Sequence, residues 1–114
     1  MTREVRTFPL HPDDRGDLLA LELPDVGFDV VRVFVATGPA EPVWRGDHGV
    51  PCRELLVLLR GTVEVRVGDD VLHLTERGQA VHLEPGERVV YRLGDDHASV
   101  LVLAAAPYRP EDFG

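Results

Sequence analysis

The stretch Gly46-Asp47-His48-Gly49-Val50-Pro51-Cys52-Arg53-Glu54, with six residues between Glu54 and Gly61, decides the fold. His48 and Val50 stand two positions apart, so they share one face of a strand, because side chains alternate in β-structure. Glu54 follows the Pro51 break and enters the same interior from the neighbouring strand. Arg60-Gly61 then supplies a tight turn. A second stretch repeats the layout: Gly78, five residues, Glu84-Pro85-Gly86, and Val89 just beyond.

Working outward, turn signals punctuate the whole chain. Asp13-Asp14-Arg15-Gly16, Pro24-Asp25-Val26-Gly27, Gly38-Pro39, Arg77-Gly78 and Gly94-Asp95-Asp96 join those already quoted. The intervals between them are mostly too short for helices and suit strands of about five to eight residues. Val63, Val65 and Val67 alternate with Thr62, Glu64 and Arg66, and Leu72 and Leu74 alternate with Val71, His73 and Thr75. Gly68-Asp69-Asp70 between these runs reads as a hairpin turn. Three runs are apolar on both faces: Phe28 to Val35, Leu55 to Leu59 and Ser99 to Ala106. Such strands need cover on both sides, from the barrel interior and from a second layer or subunit. About nine short strands and no helix predict an all-β sandwich or small barrel, a single domain over residues 1–114.

Composition narrows the function classes. A net charge of −8 argues against duplex nucleic acid as a partner, since phosphate contacts need a basic face. It leaves room for a small anionic ligand held by a local group of arginines. All 12 basic residues are Arg, and Lys, Ile and Asn are absent, the mark of a GC-rich coding sequence. No apolar run approaches the roughly 18–20 residues of a membrane helix, so no membrane partner is expected. The charged N-terminus leads into no apolar stretch and reads as no signal peptide. A single cysteine, Cys52, cannot make an internal disulfide, which points to a cytoplasmic location.

His48, Glu54 and Gly61 resemble the first motif of the cupins, with Val50 in place of its second histidine. Gly78 and Glu84-Pro85-Gly86 resemble the second motif, with Val89 where a histidine ligand falls. The resemblance implies a jelly roll of the double-stranded β-helix kind. In metal-binding cupins four such positions hold one cation; valine occupies two of them here, so no metal and no cofactor is expected.

A narrower resemblance covers nearly the whole chain. Asp13-Asp14-Arg15-Gly16-Asp17-Leu18, Val31-Arg32-Val33-Phe34, Arg45-Gly46-Asp47-His48, Arg60-Gly61, Val100 to Ala104 and Tyr108-Arg109-Pro110-Glu111-Asp112-Phe113 are similar, in order and spacing, to the WxcM-like sugar 3,4-ketoisomerases. That resemblance implies a dimeric, metal-free cupin acting on a dTDP-linked 4-keto-6-deoxysugar. The departures fall at the active site. Val50 and Pro51 replace the second histidine and a basic residue, Glu54 stands where the family tends to carry Gln, and Val35, Ala36 and Thr37 replace tyrosines. Arg88 or Val89 takes the place of an aromatic.

Moving a ketone along a sugar ring needs a base for the α-proton, its return to the adjacent carbon, and stabilisation of the enediolate between. His48 suits the base, since imidazole titrates near neutrality, and Glu54 is the second catalytic candidate. Arg45 and Arg32 are candidates to bind the enediolate or the diphosphate. His82, Trp44 and Tyr91 complete the expected substrate-binding set, although the sequence does not say whether His82 and Glu84 or Val81 and Leu83 face inward. His73, His11 and His97 read as surface or loop residues. Two other readings stay open: a diverged cupin cyclase, dehydratase or epimerase in natural-product biosynthesis, and a non-catalytic small-molecule-binding cupin. Val50, Val89, Val35 and Ala36 as an apolar lining favour the first of these. The two-faced apolar runs predict a homodimer.

Overall fold

The computed structural model describes residues 3–94 and 97–109, with Asp47 placed in its backbone only. The expected turn residues Asp95 and Asp96 and the Pro110–Phe113 part of the tail lie outside the described residues. Eleven strands are described: β1 (Arg6–Thr7), β2 (Leu10–Asp13), β3 (Gly16–Leu19), β4 (Arg32–Thr37), β5 (Val43–Gly49), β6 (Glu54–Arg60), β7 (Val63–Val67), β8 (Asp70–Leu74), β9 (Gln79–Leu83), β10 (Arg88–Leu93) and β11 (Ser99–Ala104). One 3-10 turn, Leu23–Asp25, carries Pro24 as its second residue and is the sole helical element among the described residues.

The strands form a five-stranded sheet in the order β1-β9-β6-β11-β4 and a four-stranded sheet in the order β5-β10-β7-β8. Every pairing is antiparallel, and the order interleaves strands distant in sequence. This is the predicted all-β jelly roll. The strand count exceeds the sequence estimate partly because β2 and β3 make a hairpin of their own around Asp14-Arg15. Gly68 and Asp69 close the β7–β8 hairpin as expected, with Gly68 at φ +58° where a tight turn demands a left-handed residue.

Alternation sorts side chains into two cores. Leu56, Leu58, Val63, Val65, Val81, Leu83, Val100 and Val102 meet between the sheets. Leu55, Val57, Ala80 and Leu103 point the other way, where Phe8 and Val26 join them and Leu19, Leu21, Phe28 and Val30 pack against them. β6 is therefore covered on both faces, as its sequence demands, and the cover on its outer face is the chain's own N-terminal segment.

β4 differs from that expectation. Arg32, Phe34 and Ala36 turn inward, whereas Val31, Val33 and Val35 are 59%, 55% and 55% exposed. The run from Phe28 is apolar on both faces in sequence, but its outer side is open because β4 lies at the sheet edge. Val35 accordingly lines no interior surface, and Ala36 is buried in the inter-sheet core.

Candidate active site

At one end of the jelly roll the sheets part around a cavity of about 270 Å³. β4 contributes Arg32 and Phe34, β5 contributes Arg45, Gly46 and His48, and β6 contributes Glu54 and Leu56. Leu83, Val89, Tyr91, Val102 and, from the segment after β11, Tyr108 complete the wall. Five of the seven sequence candidates thus meet in one place: His48, Glu54, Arg45, Arg32 and Tyr91.

The path of β5 explains the grouping. β10 pairs with β5 in a register that shifts between Val89 and Val90: Val90 lies opposite Gly46 and Val89 opposite His48, so Asp47 is an extra, bulged residue. Gly46 takes φ +91° at this bulge, a conformation that glycine adopts without cost. The bulge lets Arg45 and His48 face the same cavity.

Trp44 and His82 do not line it. Trp44 precedes Arg45 on the strand and so projects from the outer face, where the Arg66 guanidinium lies 4.6 Å from its ring centroid. On β9 it is Val81 and Leu83 that turn inward. His82 therefore faces the N-terminal segment, its Nε2 3.4 Å from an Arg6 guanidinium nitrogen. Burial, then the nearby Arg6 and Arg53, hold the His82 pKa below its ordinary value. Val50 belongs to the inter-sheet core, while Val89 does reach the cavity.

His48 Nδ1 lies 3.0 Å from the Gly49 carbonyl oxygen. A carbonyl only accepts, so this bond needs the proton on Nδ1 and makes Nε2 the basic nitrogen. On the other sheet, Glu54 is 7% exposed, the one buried charged residue among those described. Burial raises its carboxyl pKa above the ordinary value, outweighing the opposing pull of His48 and Arg32. Burial likewise raises the Tyr91 hydroxyl, against the charge of Arg45 and a hydrogen bond with that side chain. The Arg32 guanidinium lies over two rings, 4.5 Å from the Phe34 centroid and 5.0 Å from that of Tyr108.

Phe34 and Tyr108 are the site residues that the sequence reading missed as such. Phe34 was legible in principle, since it shares the parity of Arg32. Tyr108 follows the last strand, where alternation gives no guidance. Cys52 sits beside the cavity in a small recess shared with Arg32, Glu54, Tyr108 and Arg109.

A cation is a poor fit for this donor set. Val50 and Val89, 2% and 3% exposed, put hydrocarbon where two ligands would be needed, and no three His, Cys, Asp or Glu side chains among the described residues cluster as a metal site. What the walls offer is one imidazole, one buried carboxyl, two guanidiniums and two phenols above an apolar floor. That is equipment for binding a polar ring and moving its protons.

Fold and site together define a cupin with its candidate chemistry between the two sheets. The chain belongs to the WxcM-like, C-terminal family, whose model matches residues 1–114. A 3,4-ketoisomerase from Helicobacter canadensis superposes with a TM-score of 0.85 at 23% identity, over 98% of this chain and 89% of its own. QdtA, a sugar 3,4-ketoisomerase from Thermoanaerobacterium thermosaccharolyticum solved in complex with TDP, gives 0.82 at 25% identity, over 96% and 84%. The rmlC epimerase of Mycobacterium tuberculosis gives 0.78 at 21%, over 95% and 65%. No curated protein matches the chain.

Proposed function

We propose that this protein is a metal-independent isomerase that converts a nucleotide-linked 4-keto-6-deoxysugar, such as a dTDP-sugar, to its 3-keto isomer. The observation that carries the reading is the shared cavity: His48 on one sheet faces Glu54 on the other, with Arg32, Arg45 and Tyr91 around them. Family membership and the similarity to sugar ketoisomerases support it.

His48 Nε2 takes the proton from the carbon next to the ketone and returns it to the former carbonyl carbon on the same face. Arg32 and Arg45 lower the energy of the negative charge that develops on oxygen, or hold the diphosphate at the mouth. The cavity falls just below the roughly 300–1,000 Å³ of pockets that enclose a drug-sized ligand. It suits the sugar ring, with the nucleotide lying along the opening. The overall change is an internal redox exchange between neighbouring carbons, so it calls for no external cofactor.

The same reading makes the protein a homodimer of the reducing cytoplasm. The exposed Val33 and Val35 lie on an edge strand, with Val31 just before it, and the strand's outer backbone edge and apolar face are a template for pairing. A second copy covers them.

Incubation with dTDP-4-keto-6-deoxyglucose, followed by NMR, tests the reaction. The 3-keto isomer should accumulate and chelators should leave the rate unchanged. A diverged cupin acting on a less polar natural-product intermediate is the second reading, favoured by the floor of Leu56, Leu83, Val89 and Val102. Failure of every keto-sugar nucleotide, with turnover of an apolar ketone or enone, would decide for it.

A further inference from the structure

Ketone migration moves two protons, and His48 accounts for one of them. The carbon-bound proton leaves the carbinol carbon and ends on the former carbonyl carbon. The hydroxyl proton leaves the oxygen of that carbinol and ends on the former carbonyl oxygen. The two oxygens lie on adjacent ring carbons, and a group that serves both must give a proton to one and take a proton from the other.

Building on the ketoisomerase reading, we propose that Glu54 is this oxygen-to-oxygen proton shuttle. Glu54 opens β6 in the five-stranded sheet, between Leu83 of β9 and Ala104 of β11, whereas His48 comes from β5 in the four-stranded sheet. The two groups thus approach a bound ring from opposite walls. His48, on its own wall, serves the carbon-bound proton. The ring oxygen substituents remain for Glu54 to serve.

The steps balance. The Glu54 carboxylic acid gives its proton to the carbonyl oxygen as His48 Nε2 takes the proton from the adjacent carbon, and a neutral enediol forms. Glu54, now a carboxylate, takes the hydroxyl proton from the neighbouring oxygen as protonated His48 delivers its proton to the former carbonyl carbon. Both groups end as they began, and nothing is oxidised or reduced but the substrate's own two carbons.

The surroundings favour the protonated form of the carboxyl. Leu56, Leu83 and Val102 line the same cavity, and Glu54 is 7% exposed. The charged and titratable groups that share its two cavities are Arg32 on β4, Arg45 and His48 on β5, Cys52 between β5 and β6, Tyr91 on β10, and Tyr108 and Arg109 after β11. Burial outweighs the charges of His48 and Arg32 and raises the carboxyl pKa. A neutral acid also avoids a bare enediolate in an apolar wall. Gln in place of Glu54 would donate a hydrogen bond but give up no proton, so Glu54→Gln keeps the hydrogen bond and removes the shuttle.

The test separates the two protons. In deuterated water with a 4-keto-6-deoxysugar nucleotide, wild-type protein should both wash deuterium into the carbon beside the ketone and form the 3-keto isomer. Glu54→Gln should lower isomer formation by ~10²-fold or more, while washout falls far less, and Glu54→Asp should restore part of the isomer. A second readout needs no substrate: the difference infrared spectrum of wild type at neutral pH should contain a protonated carboxyl stretch that Glu54→Gln lacks. Equal loss of washout and isomer in Glu54→Gln, unchanged rates, or absence of that band would overturn the shuttle while leaving the ketoisomerase reading intact. Wild-type protein that neither exchanges nor isomerises would overturn that reading and the shuttle with it.

Discussion

Arg45 and His48 stand three residues apart on β5 and still line the same cavity, because the bulge at Asp47 shifts the register between them. In a regular strand those positions face opposite sides. A single local irregularity thus sets the site's cationic and basic groups side by side, and the glycine that permits it becomes a test of the arrangement.

Gly46→Ala should both destabilise the protein and misplace His48. Gly46 holds φ +91°, and a Cβ built there would lie 3.2 Å from the Val89 carbonyl oxygen. A left-handed backbone costs an L-residue about 1–2 kcal/mol, and the strand must also give way to the contact. Denaturant melts should show a loss of that order, and turnover should fall further than stability explains. An alanine variant with wild-type melting and turnover would mean that the bulge does not position the site.

His48→Ala should reduce kcat by ~10²-fold or more with little change in affinity for a substrate analogue, because the imidazole would act mainly in the transition state. Calorimetric titration with dTDP alone separates binding from chemistry. A variant that turns over at the wild-type rate would leave His48 a structural residue of the strand end, held by its bond to Gly49.

Much of this site was legible in the sequence, and the parts that were not have definite causes. The resemblance to the first cupin motif, with strand parity as its reason, brought His48 and Glu54 into one interior from two strands, and both line the cavity. Alternation then places Trp44 outside because Arg45 is inside, but which of the two faces inward follows from the bulge and the pairing with β10. For His82 and Leu83 the sequence offered two acceptable inward pairs; the N-terminal segment packed over β9 resolves them, with His82 turned towards it. Val35 reads as interior by hydrophobicity and is solvent-exposed because β4 ends its sheet. Edge position is a property of topology, and one strand's composition does not carry it.

That edge yields the oligomer prediction. Light scattering at micromolar concentration should give a dimer, with about 1,200–2,000 Å² buried in total if the interface is of ordinary size. Val33→Asp combined with Val35→Asp should yield a monomer of unchanged fold, since both side chains are exposed in the single chain. A wild-type monomer, or a dimer indifferent to both charges, would remove β4 from the interface.

Glu54 and His82, whose shifts fall in the acidic range, make opposite predictions for stability against pH. Glu54 has its folded pKa raised above the ordinary 4.5. Above that value the unfolded chain releases a proton that the folded chain keeps, so stability falls as pH rises from 4.5 towards the raised folded value. His82 has its folded pKa lowered from 6.5. Below 6.5 the unfolded chain takes up a proton that the folded chain refuses, so stability falls as pH drops from 6.5 towards the lowered value. In the wild type these slopes oppose each other wherever their windows overlap, and single variants expose each one. In denaturant titrations across mildly acidic pH, Glu54→Gln should gain stability relative to wild type as pH rises, and His82→Gln should gain it as pH falls. A Glu54→Gln difference that stays flat from pH 4.5 upward would show that the Glu54 carboxyl titrates alike in the folded and unfolded chains, which would also deprive it of the proton it is proposed to give.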